Sequence, residues 1–272
     1  METVSYTSQW TAAARALESE RSDALFVDPL ARALAEPKGF ELLDHYGGGG
    51  LVEFVAVRTR YLDDAIGDAV KKGIRQVVLI AAGMDTRAYR LSLPDDVRVY
   101  EVDHQALIDE KEKRLAQLGS PAPTVNLQRV GADLAGDWSA SLRATDFDPA
   151  QPTLWIPEAL LFFLTEEQSA TLMRTFAANS APGSQVAVDI LSKALLRSPA
   201  TQIFLSSLNE DGIPWLFGTD EPEEFMAGTG WTVRELKEPG EPGAGEGRWP
   251  YAVQPREVRG AARNWLLRAE LA

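Results

Sequence analysis

The sequence predicts an α/β protein with a parallel sheet that helices cover on both faces. Short runs of apolar, mostly β-branched residues alternate with stretches of helical character. One run, residues 74–81, leads into a loop with a single glycine, Gly83, and the next run ends at Asp103, twenty positions after that glycine. Such a loop lets a ligand approach the backbone, and the acid can accept hydrogen bonds from ribose hydroxyls. The pattern predicts a nucleoside-binding site.

The N-terminal part, residues 1–72, is predicted to be helical and to form part of a lid over the sheet. It contains an alanine-rich stretch, an Asp-Pro pair typical of a helix start, and apolar residues at helical spacing. A run of four glycines is predicted to be a loop, because no strand precedes it and no Lys-Ser/Thr pair follows. The predicted helices are residues 11–20, a helix from Asp28-Pro29 toward Ala35, and residues 51–72.

From residue 74 onward, strands and helices alternate within a single domain that spans residues 1–272. Residues 197–218 interrupt the alternation with a mixed amphipathic stretch, which is predicted to be an insertion that contributes to the lid. A segment rich in proline and glycine, residues 238–247, is predicted to be a loop between the last two strands. The predicted strands are residues 74–81, 97–102, 124–130, a fourth that starts with residues 153–156, and then 184–190, 231–236 and 264–269, and the predicted helices are residues 105–118 and 166–178.

Composition and charge exclude several classes of protein. The net charge of −13 disfavours nucleic acids and anionic membrane surfaces as partners, since both attract a basic surface. The chain has no cysteine, which excludes disulfides, zinc–thiolate sites, iron–sulfur clusters and cysteine nucleophiles. The sequence shows neither a signal-peptide pattern nor an apolar run of membrane-spanning length, so a cytoplasmic location is predicted.

The loop at residues 81–86 departs from the dinucleotide-binding fingerprint Gly-x-Gly-x-x-Gly. It has one glycine, and it adds the carboxylate of Asp85, which would repel a phosphate bound at a helix N-terminus. A nucleoside cofactor without phosphates fits this loop better than NAD does, and S-adenosylmethionine is such a cofactor. An NAD-type oxidoreductase is therefore a less favoured alternative.

A series of motifs occurs in order along nearly the whole chain. They include Arg15-Ala-Leu-Glu18, Asp28-Pro29, Val57-Arg58-Thr-Arg60-Tyr61, Gly83-Met-Asp-Thr-Arg-Ala-Tyr-Arg-Leu91, Tyr100-Glu-Val-Asp103, Gly131-Ala-Asp-Leu134 and Trp155-Ile-Pro-Glu158. In these motifs the chain resembles the leucine carboxyl methyltransferase-type S-adenosylmethionine-dependent methyltransferases, especially the bacterial branch that includes polyketide O-methyltransferases. The resemblance implies a class I, Rossmann-like fold with a seven-stranded, mostly parallel sheet.

Two acids are expected to hold the adenosine part of the cofactor. Asp103 would accept charge-assisted hydrogen bonds from both ribose hydroxyls, although it directly precedes a predicted helix and could instead be its N-cap. Glu101 is the alternative ribose acid. The resemblance implies that Asp133 binds the adenine amino group and that Leu134 packs on the ring, while an Asx turn is the alternative role of Asp133.

The methionine part of the cofactor is expected near Gly83, where the lack of a Cβ atom lets it approach the backbone. The resemblance favours Arg58 as the partner of the cofactor's carboxylate, with Arg60, on a different face of the helix, as the alternative. Arg15, in the predicted lid, is expected to add a weaker cationic contact. Glu158, directly after the fourth strand, is expected either to bond the cofactor's amino group or to cap the next helix.

The chemistry of methyl transfer favours a carboxylate as the acceptor. A carboxylate is ionised at neutral pH and needs no general base, whereas a phenol, with a pKa of about 10, benefits from one. The two histidines, His45 and His104, form no recognisable pair of base and orienting acid, and no cluster of metal ligands is predicted. No catalytic residue is therefore assigned, and the protein is expected to act by proximity and orientation.

Aromatic residues are expected to contact the acceptor, although one of the two adjacent phenylalanines could instead be a core residue. Many relatives have a tyrosine where this chain has Phe163, which speaks against a protein-leucine acceptor. The candidates are Phe162, Phe163, Trp215 and Phe217. The sequence thus predicts an O-methyltransferase that esterifies a small or medium organic acid, such as a polyketide or another secondary metabolite. The alternatives are a phenolic O-methyltransferase and a non-catalytic cofactor-binding protein.

Overall fold

The computed structural model describes residues 2–48, 50–119 and 122–272, and only the backbone of residues 2–6. All the strands of these residues belong to one sheet. Its strands are β1 (Gln76–Ile80), β2 (Arg98–Asp103), β3 (Asn126–Gly131), β4 (Thr153–Ile156), β5 (Gln185–Leu191), β6 (Trp231–Lys237) and β7 (Asn264–Leu271). Every predicted strand is confirmed, with small differences at the ends.

The seven strands lie in the order β3-β2-β1-β4-β5-β7-β6. Neighbouring strands from β3 to β5 are parallel, and Val78 of β1 pairs with Tyr100 on one side and with Trp155 on the other. β7 lies antiparallel between β5 and β6. The predicted seven-stranded, mostly parallel sheet is therefore confirmed. The strand order reverses between β1 and β4, where a sheet of this kind opens a crevice at its carboxyl edge.

The helices of the described residues include several that the sequence does not predict. They are α1 (Glu2–Ser19), α2 (Ala31–Tyr46), α3 (Leu51–Lys71), α4 (Arg87–Arg90), α5 (Gln105–Gln117), α6 (Trp138–Arg143), α7 (Glu166–Ala178), α8 (Lys193–Arg197), α9 (Gln202–Glu210) and α10 (Pro222–Ala227). The helices α4, α6, α8 and α10 are too short to show a periodic apolar pattern, and α9 lies in the stretch predicted to be amphipathic. The predicted end at Ala35 is confirmed for the first part of α2, and the second part, which resumes beyond a kink, is not predicted. The kink lies at Glu36, with a φ of 53°, before Pro37, which cannot continue the helical hydrogen bonding.

Helices cover both faces of the sheet. On one face, α3 buries Leu62 and Ile66 in a cluster with Val77 of β1. On the other face, Phe176 of α7 stacks on Trp155 of β4 with ring centroids 4.9 Å apart. Each fully buried side chain of this size contributes roughly 1.5–3 kcal/mol. Although α3 belongs to the predicted lid portion, it is a helix of the core layer.

The remaining N-terminal helices pack together with the predicted insertion. α1 packs along α2, and α9 contacts α2. Leu34 of α2, Leu208 of α9 and Ile213 share one buried cluster. That this layer moves as a lid stays a prediction. Among the helices of the described residues, none combines the length and the apolar character that crossing a bilayer requires.

Candidate functional site

A cavity of about 850 Å³ lies at the carboxyl ends of the first four strands, and its size is typical of small-ligand sites. The loops that follow these strands bring Gly83, Asp103, Asp133 and Glu158 to its wall. Side chains of α1 and residues 212–214 line it as well. Because the carboxyl ends of parallel strands meet at one edge of a sheet, residues far apart in the sequence face one space.

Asp103 closes β2 and is almost fully buried beside the loop that follows β1. Its Oδ2 accepts from the Gly83 N–H and its Oδ1 from the His104 N–H, both at 2.7 Å. Burial raises the pKa of Asp103 above its ordinary value, although both backbone N–H groups oppose this. α5 has His104 as its N-cap, so Asp103 is not the helix cap. Each carboxylate oxygen keeps a second lone pair that can accept from a ligand hydroxyl.

The alternative ribose acid, Glu101, is not at the cavity. Its Oε2 lies 2.8 Å from Lys111 Nζ and 3.0 Å from Arg129 Nε. Glu101 and Lys111 are both fully buried, and neither lines the cavity. The structure therefore brings Asp103 to the site and leaves Glu101 in an internal ion pair.

The loop after β1 is in close contact with α1. Gly83 has a φ of 52°, which favours glycine, and a Cβ atom there would lie 2.9 Å from the Cβ of Ser8. The glycine thus also lets α1 approach the loop, a packing constraint that the sequence pattern does not indicate. Arg15 makes a further connection, because its Nη2 donates to the Met84 carbonyl at 2.5 Å and its Nε to Asp28 at 3.0 Å.

Asp133 and Leu134 follow β3, and both line the cavity. Asp133 is exposed, and its Oδ1 accepts from the Ala135 N–H at 2.9 Å, which is the geometry of an Asx turn. The turn engages one oxygen of the carboxylate, and a contact between the other oxygen and adenine stays a prediction. Leu134 is half-buried against the core, in position to offer an apolar surface to a ligand.

Arg58 is a buried residue of α3 whose side chain reaches the cavity. Its Nε donates to Glu158 Oε1 and its Nη1 to Asp189 Oδ2, both at 3.0 Å. Burial raises the pKa of Asp189, a residue of β5 that the sequence motifs did not single out. Arg60 lies on the exposed side of α3, where it pairs with Asp64 at 2.9 Å, and it does not line the cavity. The structure thus places Arg58, rather than Arg60, at the site.

Besides Arg15 and Arg58, Arg87 is a third buried cation at the site, and the sequence motifs did not assign it a role. It donates from Nη1 to Glu158 Oε2 and from Nε to Asp63 Oδ1, both at 2.7 Å. It also forms an ion pair with Asp85. The charge of Asp85 is therefore compensated within the protein, so this loop would repel a phosphate less than the sequence suggests. The signal available in the sequence was the spacing of Arg87, two positions after Asp85, which is close enough for an ion pair.

Glu158 is held ionised by this network. Burial alone would raise the pKa of Glu158. Arg87 and Arg58 together have the larger, opposite effect and lower this pKa to about 2. A short 3₁₀ helix, Leu161–Phe163, has Leu160 as its N-cap, and α7 has Thr165, so Glu158 caps neither of them. Glu158 therefore provides a fixed negative charge at the carboxyl end of β4.

The four aromatic candidates divide into two pairs. Phe162 and Phe163 line the cavity. Trp215 packs on Phe162 with ring centroids 4.4 Å apart, but it does not line the cavity itself. Phe217 is buried in the main core against Phe225, with ring centroids 4.7 Å apart. The prediction of acceptor contacts is therefore corrected for Phe217, whose ring lies in the core, and for Trp215, which is half-buried against Phe162 and does not form part of the cavity wall.

The histidines have unrelated positions. His104 lines the cavity beside Asp103, whereas His45 lies on α2, where its Nε2 is 3.5 Å from Asp211. Within residues 2–48, 50–119 and 122–272, no group of three or more acidic or histidine side chains could hold a metal ion. The cavity thus combines fixed ion pairs with an apolar aromatic surface.

Solved structures of low sequence identity share this fold. A DUF574 family protein from Streptomyces avermitilis matches with a TM-score of 0.68 over 96% of this chain and 97% of the other, at 17% identity. A protein from Thermobifida fusca YX, provisionally described as a methyltransferase, gives a TM-score of 0.63 over 95% and 94% of the two chains, at 18% identity. These likenesses support the class I methyltransferase fold.

Relatives of higher identity define the family. A Mycolicibacterium smegmatis protein is 38% identical over 260 residues, and a Mycobacterium avium protein is 35% identical over 272 residues, with 86% of each chain covered. Both are provisionally named S-adenosyl-L-methionine-dependent methyltransferases. Residues 8–177 match the sequence model described as leucine carboxyl methyltransferase. The chain therefore belongs to the leucine carboxyl methyltransferase family, whose cofactor is S-adenosylmethionine.

Proposed function

We propose that this protein is an O-methyltransferase that forms a methyl ester on a carboxylate of a small or medium organic acid. The observation that carries the proposal is the state of Glu158. With a pKa of about 2 and both oxygens bonded to arginines, Glu158 is a poor general base. The one histidine on the described cavity wall, His104, lies beside Asp103, the proposed ribose acid. A carboxylate acceptor fits this site because it needs no base.

The adenosine half of S-adenosylmethionine fits the residues that follow β2 and β3. Asp103 would accept from the ribose hydroxyls through the lone pairs that Gly83 and His104 do not use. Asp133 would bond the adenine amino group, and Leu134 would pack on the ring. When bound, the cofactor supplies an electrophilic methyl group, and transfer of that methyl to a carboxylate oxygen releases no proton.

The methionine half of the cofactor fits the ion pairs at β4. The Nη2 of Arg58, which neither Glu158 nor Asp189 engages, would bond the cofactor's carboxylate, and Glu158 would attract its amino group. Arg15 would add a cationic contact from α1. Because the ion pairs already fix these side chains, little conformational freedom is lost on binding, which favours affinity.

The acceptor fits the apolar surface formed by Phe162, Phe163, Ile213 and Pro214. Burial of an acceptor's hydrocarbon or aromatic body against these side chains would supply most of its affinity. The cavity of about 850 Å³ has to hold cofactor and acceptor together, which limits the acceptor to a small or medium molecule.

We expect the purified protein to transfer label from methyl-labelled S-adenosylmethionine to carboxylic acids in a form that mild base releases as volatile methanol. The physical reason is that methyl esters hydrolyse in base, whereas aryl methyl ethers do not. The measurement is scintillation counting before and after base treatment, across matched panels of aromatic and aliphatic acids and of phenols. Label that stays after base treatment would contradict ester formation and support the phenolic alternative.

The control is the Asp103→Asn variant, which is expected to lose labelling of every acceptor because it is impaired in the proposed cofactor site. Family membership removes the NAD-type oxidoreductase from the alternatives. A non-catalytic cofactor-binding protein would bind S-adenosylhomocysteine yet label neither panel.

A further inference from the structure

Asp189 is a fully buried acid of β5 that contacts the candidate site without forming part of the cavity wall. Every other residue from 186 to 191 is apolar. Val188 and Ile190 pack in the cluster on one face of the sheet, and Ala187 packs in the cluster under α3, so the alternation of the strand directs Asp189 toward α3. A carboxylate buried among apolar residues is costly unless it is paired, so its partners indicate its role.

The two carboxylate oxygens of Asp189 have different partners. Oδ1 accepts from the N–H of Ala159 at 2.8 Å, and Oδ2 accepts from Nη1 of Arg58 at 3.0 Å. The first bond joins β5 to the turn after β4, where Ala159 has a φ of 53°. Because this bond fixes the carboxylate, Oδ2 holds the guanidinium of Arg58 from one defined direction.

Arg58 is held on other sides as well, but Asp189 is the acid that serves it alone. Its Nε donates to Glu158, and its guanidinium carbon lies 5.2 Å from the centre of the Phe54 ring. Glu158 is shared with Arg87, whereas Arg58 is the one cation among the described residues that pairs with Asp189. Neither acid bonds Nη2 of Arg58, so the planar guanidinium can offer this nitrogen to a ligand.

We propose that Asp189 is a positioning residue for the cofactor, which holds the guanidinium of Arg58 with Nη2 directed at the cofactor's carboxylate. The inference rests on the contact between Arg58 and that carboxylate in the proposed function, and it adds the buried residue that sets the geometry of the contact. A guanidinium that is fixed before the ligand arrives loses little freedom on binding, which favours affinity. Without Asp189, the guanidinium can turn about its bond to Glu158, and the contact weakens.

Binding of two related ligands tests this role. S-adenosylhomocysteine carries the amino-acid carboxylate, whereas 5′-methylthioadenosine has the same adenosine and sulfur without it. In Asp189→Asn, the amide oxygen keeps the N–H of Ala159, so the amide nitrogen faces Nη1 of Arg58 as donor against donor. By calorimetric titration, we expect this variant to bind S-adenosylhomocysteine about tenfold more weakly than the wild type does, and 5′-methylthioadenosine within about twofold. Equal losses for the two ligands, or no loss for either, would overturn the proposal.

Arg58→Met shows whether the effect of Asp189 runs through Arg58. This variant is expected to show the same selective loss, and Asp189→Asn should add nothing to it, because residues that act as a unit are not additive. An additive loss in the double variant would contradict the proposal. If Arg58→Met spares S-adenosylhomocysteine binding, the proposed carboxylate contact fails, and this inference fails with it. If Arg58→Met shows the selective loss and Asp189→Asn does not, this inference alone fails.

Glu238→Gln is the matched control. Glu238 and Arg263 form a buried ion pair, and neither residue lines the cavity. The affinities of this variant for both ligands should stay within about twofold of the wild type, because its ion pair holds no group at the site. A selective loss of S-adenosylhomocysteine binding in Glu238→Gln would mean that any lost ion pair weakens the site, which contradicts the proposal.

A measurement on the wild type does not depend on the folding of a variant at position 189. In a ¹H–¹⁵N spectrum, the side-chain Nε signal that is missing from Arg58→Met identifies Arg58. We expect the relaxation of this signal to show a side chain as rigid without ligand as it is with S-adenosylhomocysteine, because Asp189 and Glu158 already hold it. An Arg58 side chain that is mobile in the free protein and becomes rigid only with the ligand would overturn the proposal.

Discussion

Replacement of Asp103 by asparagine is expected to weaken binding of S-adenosylhomocysteine by about 100-fold. The carboxylate is buried, and both of its oxygens already accept backbone N–H groups, from Gly83 and from His104. An amide keeps the shape of the side chain but replaces one acceptor with a donor, so it opposes either a backbone N–H or a ribose hydroxyl. Calorimetric titration measures the loss, and NAD is expected not to bind the wild type.

The matched control for this variant is Asp109→Asn. Asp109 lies on α5, close to Asp103 in the sequence, but it is exposed, bonds Gln105, and does not line the cavity. The Asp109→Asn variant is expected to bind S-adenosylhomocysteine with an affinity within about twofold of the wild type. Thermal unfolding of Asp103→Asn with and without ligand separates weak binding from misfolding, because a ligand stabilises only a protein that binds it. Wild-type affinity in a folded Asp103→Asn protein would mean that another group holds the ribose.

The sequence predicts the sheet well because each strand has a local signal. The predicted bounds of α7 and the predicted start of β4 agree with the structure to the residue, and α7 begins at a capping box formed by Thr165 and Gln168. The second part of α2, beyond the break at Glu36, could not be predicted, because it depends on tertiary packing of residues such as Leu43 and Tyr46.

The sequence predicts the part of the candidate site that lies at the ends of the strands, but not the ion pairs between distant segments. Asp103 and Glu158 follow neighbouring parallel strands, so their shared edge can be inferred from the sequence. The pairing of Arg58 with Asp189 joins positions 131 residues apart, and no local pattern encodes it. Phe217 was misplaced because its position within the predicted insertion, residues 197–218, does not say whether its side chain faces the cavity or the core.

Arg87→Met is expected to lower the free energy of unfolding at neutral pH by about 3–5 kcal/mol. The change removes the guanidinium that bonds Asp63, Asp85 and Glu158, and it leaves one buried and two half-buried carboxylates without this counter-charge. Arg87→Lys keeps the charge but loses the planar fork, so an intermediate loss is expected. Urea unfolding measures the difference, and a fall in Tm of roughly 10 °C should accompany it.

The deficit of Arg87→Met should shrink in acid. In the wild type, the folded-state pKa of Glu158 is about 2, below its ordinary value of 4.5. A group with a lowered folded-state pKa stabilises the fold above its unfolded pKa, and this contribution is lost as the pH falls from about 4.5 toward 2. Without Arg87, the folded-state pKa of Glu158 rises, so protonation relieves the unpaired charge. The two proteins should therefore differ less at pH 3 than at pH 7.

Arg60→Met separates this charge effect from the general cost of losing an arginine. Arg60 pairs with Asp64 on the exposed side of α3, where an ion pair contributes about 0–1 kcal/mol. Arg60→Met should therefore change the free energy of unfolding little at either pH 7 or pH 3. If Arg87→Met were equally destabilised at pH 7 and pH 3, the loss would reflect packing alone. A deficit that shrinks with acid would mean that Arg87 stabilises the ionised form of the acids around it, Asp63, Asp85 and Glu158, and an ionised Glu158 is the condition on which the proposed base-free transfer to a carboxylate depends.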